Sequence, residues 1–137
     1  MRRNRWVIGA LVVVLLLAAL VAGVAIRSEP DGLARASALL ADADRFNTAI
    51  EAGDTVAEVS GLLLTEARHC DARGEHAPRC EATAQAAAFA QALAVRVLAC
   101  TAPGRFEVRR ALRGHLEAID ALAPDDPSPP PPQLPTC

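Results

Sequence analysis

The chain contains no lysine and no tyrosine, and its aromatic side chains amount to one tryptophan and three phenylalanines. All positive side-chain charge apart from histidine is therefore arginine, a usage that resembles the coding bias of a GC-rich bacterial genome. Three of the fourteen arginines, Arg2, Arg3 and Arg5, precede a long apolar run. Beyond that run eleven arginines stand against all sixteen carboxylates, a net −5. A surface of that sign lacks the basic stripe that nucleic acid requires and the polybasic cluster that anionic lipid headgroups attract. Also missing are a Gly-rich phosphate loop, a nucleophile elbow, a C-x-x-C redox pair and a C-x-x-C-H haem site, so the chemistries these motifs mark have no anchor. No stretch alternates apolar and polar residues long enough for a strand. The expectation is an all-α protein, not an enzyme, with no cofactor.

What is present begins with the apolar run at residues 7–26, flanked by Trp6 and the three arginines before it and by Arg27 and Glu29 after it. About 20 residues of helix at 1.5 Å each cross the roughly 30 Å hydrocarbon core, and the three arginines before the run stay cytoplasmic. Residues 1–6 are thus expected in the cytoplasm, 7–26 as a signal anchor in the cell membrane, 27–32 as a juxtamembrane hinge, and the rest outside. The alternative is a cleaved signal peptide, cut after Gly23 or after Ala25, which would secrete the protein. A signal-peptide apolar region runs about 7 to 15 residues, shorter than this one, which favours retention. Within the run, Ala19 and Gly23 are small residues four apart that would let a partner helix approach closely. Lipid exposure of the same stripe is the plainer reading.

The four cysteines, Cys70, Cys80, Cys100 and Cys137, all follow the membrane run. An even number in an oxidising compartment reads as two disulfides, and three pairings are open. Helix layout ranks them. Four helices are expected within an extracytoplasmic domain at 33–123, running at about 32–52, 55–70, 78–99 and 105–122. The first is bounded by Ser28 as N-cap and Gly53 as stop, and carries Ala36, Leu39, Leu40, Ala43, Phe46 and Ile50 on one face. The second opens at a capping box, Thr55 with Glu58, and buries Val56, Val59, Leu63 and Ala67. The third presents Ala86, Phe89, Leu93, Val97 and Cys100, and the fourth Val108, Leu112, Leu116, Ile119 and Leu122. Short connections make successive helices antiparallel, an up-and-down bundle. Cys70 and Cys80 then share one end. Cys100 lies at the other, within reach of Cys137 if the Pro-rich tail 124–137 runs back as an extended strap of about 3.1 Å per residue. The pairing expected is Cys70 with Cys80 and Cys100 with Cys137. Pro-rich tails also serve as ligands of partner domains, and a C-terminal cysteine left unpaired would join two chains.

His69 and His76 flank Cys70 and Cys80, and two imidazoles with two thiols are zinc's ligand types. The spacing matches no paired ligand motif, so solvated histidines beside a disulfide are the reading preferred, with no metal. His115 reads as a solvated side chain on a helix surface. Asp42 with Asp44 and Asp125 with Asp126 do not make a general acid and base, the first pair diverging on a helix and the second lying in the tail. These features describe a non-catalytic accessory or interaction module of a bacterial envelope complex, with a membrane or envelope protein as partner. The alternative is a secreted or tethered bundle that binds a small apolar ligand, lipid or metal between its helices.

Overall fold

The computed structural model describes residues 8–19, 31–75, 77–134 and 137. The chain divides into two units, Met1–Pro30 and Asp31–Cys137. In the first, helix α1 (Ile8–Ala19) is apolar and its side chains are exposed. The cytoplasmic end, the remainder of the expected span and its cleavage positions, and residues 27–30 of the expected hinge lie outside the described residues.

The second unit is all-α among the described residues: α2 (Gly32–Ala41), a 3-10 turn (Ala43–Phe46), α3 (Ala49–Arg73), α4 (Ala77–Arg96) ending in a 3-10 turn (Val97–Ala99), and α5 (Ala102–Asp120). Asp31 and Gly32, expected in the hinge, belong to this unit. Asp31 caps α2 by accepting from the Ala34 amide at 2.7 Å, an orphan donor of the first turn. Gly32 follows because nothing larger fits. A Cβ there would stand 2.7 Å from the Leu62 carbonyl oxygen and 2.8 Å from Glu66 Cβ.

The single helix expected over 32–52 is two elements with a 3-10 turn between them. Asp42 breaks it, its amide closing α2 onto Leu39 while its carboxylate accepts from the Asp44 amide at 3.1 Å. Short carboxylates compete with the helix in this way. The break turns Phe46 wholly into the core and leaves Ile50, expected on the buried stripe, 70% exposed. The second helix starts at Thr48, not Thr55: the Thr48 hydroxyl accepts from the Glu51 amide at 3.2 Å and Glu51 accepts from the Thr48 amide at 3.0 Å. Thr55 is a buried interior residue of α3, donating to the Arg45 carbonyl at 3.4 Å. Gly53, expected as a helix stop, is also interior, and a Cβ there would meet Leu98 Cδ2 at 2.8 Å. Its missing side chain lets α3 and α4 pack closely.

Gly74 ends α3 in the left-handed region, φ 67°, and Glu75 N donates to the Cys70 carbonyl at 3.2 Å, closing the Schellman type of helix end. The disulfide Cys70–Cys80, Cα atoms 5.6 Å apart, ties this turn to the start of α4. At the opposite end Gly53 meets Leu98 and Ala94, so α3 and α4 are antiparallel. Gly32 against Leu62 and Glu66 sets α2 antiparallel to α3. Arg105 and Arg109 on early α5 reach residues 40–47, and Asp120 at its end reaches Arg79, which sets α5 antiparallel to α2 and α4.

The core follows the predicted stripes on the last three helices. Val56, Val59, Leu63, Leu93, Val97, Val108, Leu112, Leu116 and Ile119 are buried with Leu33, Leu40 and Phe46. Helix α4 contributes mostly alanine, Ala82, Ala86, Ala87 and Ala90, which permits its close approach to α3. With its 3-10 end, Ala77–Ala99, it is the one described helix with the length and apolar composition of a membrane span. Its buried face is nonetheless committed to the bundle and both its ends are disulfide-bonded.

The tail is part of this unit. Asp126 turns the chain after α5, its amide donating to the Ala123 carbonyl at 3.0 Å and its carboxylate accepting from the Ala123 amide at 2.9 Å. The Ser128 hydroxyl then donates to the Pro78 carbonyl at 3.1 Å, Leu134 packs against the core, and Cys137 reaches Cys100 with Cα atoms 4.5 Å apart. The tail therefore runs the length of α4 as a strap, from its first turn to beyond its last.

Candidate functional site

Each end of the bundle carries a cluster of polar groups. At the end of the Cys70–Cys80 bond, Glu66 is 6% exposed and accepts from the Gly32 amide at 3.0 Å and from Arg73. Burial alone would raise its carboxyl, but the Gly32 amide and Arg73 outweigh that and hold it below the usual glutamate range. Arg73 also pairs with Glu75 at 2.6 Å. Arg79, on the first turn of α4, lies 3.5 Å from Asp31, 3.9 Å from Glu75 and 3.5 Å from Asp120. One arginine thus bridges the start of α2, the α3–α4 turn and the end of α5. At the other end arginines cap carbonyls. Arg105 donates to the carbonyls of Phe46 at 3.2 Å, Asn47 at 2.8 Å and Cys100 at 2.8 Å, and Arg109 to those of Leu40 at 2.6 Å and Ala41 at 2.7 Å.

These groups are engaged with the protein's own backbone and side chains, so their geometry serves assembly. Residue types alone gave no sign of Arg105 and Arg109, because all their partners but the Cys100 carbonyl lie 58 to 69 positions away.

The expected site residues fall as follows. All four cysteines are in disulfides, Cys70 with Cys80 and Cys100 with Cys137. Cys70, Glu75 and Cys80 cluster closely enough to suggest metal ligands, but sulfurs joined to each other offer no thiolate and only Glu75 could donate a charged atom. His69 is exposed on α3. His76 lies outside the described residues, as does Gly23; Ala19 is on α1, exposed. His115 is not the solvated side chain expected. It is 7% exposed on the inner face of α5 beside Leu112, Leu116 and Ile119, and burial pushes its pKa down, favouring the neutral imidazole.

Asp42 and Asp126 are helix and turn caps. Surface grooves border the strap: one of about 220 Å³ between Phe89, Leu93, Arg96 and Leu134, and one of about 660 Å³ lined by Glu107, Arg110, Ala111, Gln133 and Leu134. Neither gathers a nucleophile with a base. Comparison with family models, with curated proteins and with solved structures finds no match.

Proposed function

We propose that this chain is a single-pass membrane protein whose exported helical unit serves as a non-catalytic accessory or interaction module of a bacterial envelope complex. The observation that carries the reading is the engagement of all four cysteines in two disulfides at opposite ends of the bundle. Such bonds persist in oxidising compartments and are rare in the cytosol. The apolar run at 7–26 behind three arginines supplies the route out and the anchor. A non-catalytic role is supported by the use made of the titratable groups: Glu66 and Arg73 hold the start of α2, Asp31 and Asp42 cap backbones, and His115 is buried on α5.

The test is the intact mass of protein taken from its native membranes without reductant, with free thiols alkylated, followed by crosslinking in those membranes. A full-length chain lighter by four hydrogens, free of alkyl adducts and crosslinked to a stoichiometric envelope protein, is expected. A mass lacking the first 23 or 25 residues would replace the anchored reading with a secreted bundle that binds a ligand. A chain that crosslinks to no other protein would remove the accessory role.

A further inference from the structure

Among the described residues of the second unit, the large apolar side chains left exposed are Ile50, Leu64, Val95 and Leu98, at 70, 43, 72 and 47%. They are not scattered. At roughly 100° per helical residue, Ile50 and Leu64 sit on the side of α3 next to Gly53 and Ser60, which meet α4 through Leu98 and the Ala87 carbonyl. Val95 and Leu98 sit on the matching side of α4. All four therefore belong to the outer face of the α3–α4 hairpin, turned away from α2, α5 and the strap. Gly61 lies between them with nothing within 4 Å of where a side chain would start. Gathering on one face is what distinguishes a contact surface from ordinary exposed leucines.

The charges at one end of this face identify its occupant. Arg68 and Asp71 on α3 and Glu81 on α4, all exposed, line the same groove with Leu64. The pairings Cys70–Cys80, Ser60–Ala87 and Gly53–Leu98 put Arg68 and Glu81 at one level of the hairpin. A two-fold axis parallel to the helices would place α3 of one copy on α4 of the other at equal height. Arg68 would then face Glu81 of the second copy, twice over, and Ile50 would face the second Leu98. The head-to-tail two-fold would press Arg68 and Glu81 onto Ile50 and Leu98, leaving charges against hydrocarbon. Two helices about 30 Å long and 8–10 Å apart offer on the order of 800 Å² per copy, the area of a standard interface.

We propose that this face binds a second copy of the chain, as a dimer with α3–α4 hairpins face to face and like ends together. The pairing needs no membrane, so it stands or falls apart from the location proposed above. The test uses the full chain in mild detergent with its disulfides intact, the protein mass read by light scattering and native mass spectrometry. Wild type is expected as a dimer and Val95→Glu as a monomer.

Arg68→Glu or Glu81→Arg alone sets like charges opposite each other and should weaken the dimer by roughly tenfold or more. Mixing those two variants should restore it as a heterodimer, because each mutant charge then meets its opposite. That rescue also shows that both variants are folded. A monomeric wild type would overturn the proposal and leave the face to another protein or to lipid. A dimer indifferent to Val95→Glu would overturn it too, by placing the contact elsewhere, as would failure of the mixture to pair.

Discussion

Glycine is used in this chain for opposite purposes, and substitution separates them. Gly32 meets backbone and Cβ atoms that cannot swing away, so Gly32→Ala should lower stability by about 1–3 kcal/mol despite alanine's better helix propensity. Gly114 has open space around it on α5, and Gly114→Ala should raise stability by about 0.5–1 kcal/mol. Thermal melts of the full chain by circular dichroism would show the opposite signs. Two titrating residues give a second expectation. His115 has a folded pKa below its unfolded value of about 6.5, so the unfolded chain takes the proton first and stability falls as pH drops below that value. Glu66 is held below its ordinary value, so its contribution is present above about pH 4.5 and is lost as pH falls through the folded value. His115→Gln should flatten the first decline and leave the second, measured as melting temperature against pH. His115 was within reach of sequence, since it lies three residues after Leu112 and four before Ile119 on one helical stripe. Treating histidine as polar hid it.

At the level of elements, the apolar stripes of α3, α4 and α5 were legible because their period is strict and their buried residues are aliphatic. The break between α2 and α3 was not. Residues 41–50 keep an apolar spacing compatible with one continuous helix, and both Thr48–Glu51 and Thr55–Glu58 have the spacing of a capping box. Only the burial of Phe46 and the pairing of Thr55 with the Arg45 carbonyl select the first. The disulfides make the strap and the turn separable by experiment. Their residues are 37 and 10 positions apart. On the chain-entropy model the longer closure contributes about 4 kcal/mol and the shorter about 3. The double variant Cys100→Ser with Cys137→Ser should therefore lower the melting temperature more than Cys70→Ser with Cys80→Ser. The reverse order would mean that the turn at Gly74 depends on its bond more than loop length implies.

For the molecule as a whole, the helices are not equally dependent on one another. The α3–α4 hairpin is packed directly through alanines, Gly53 and Ser60, whereas the seam between α4 and α5 is covered by the tail through Leu134. Native-state hydrogen exchange of the Cys100→Ser, Cys137→Ser variant, whose strap has lost its covalent tie, should show α5 losing protection before α3 and α4. Uniform loss along all four helices would mean the bundle opens as one cooperative body. Sequence reached the helical bundle and the choice of bonded cysteines through helix layout and tail length. It did not reach the arginine contacts across the bundle, which exist only once distant segments are brought together.

The junction at Asp31 has a mechanical side. Chain enters the helical unit there, and the first backbone amide of α2, that of Gly32, is gripped by Glu66, itself tied to Arg73 within one turn of the Cys70–Cys80 bond. A pull on residue 31 is thus handed at once to the covalently stapled end of the longest helix. Load entering at residue 31 would be shared by several contacts at once, so α2 is not free to peel away alone.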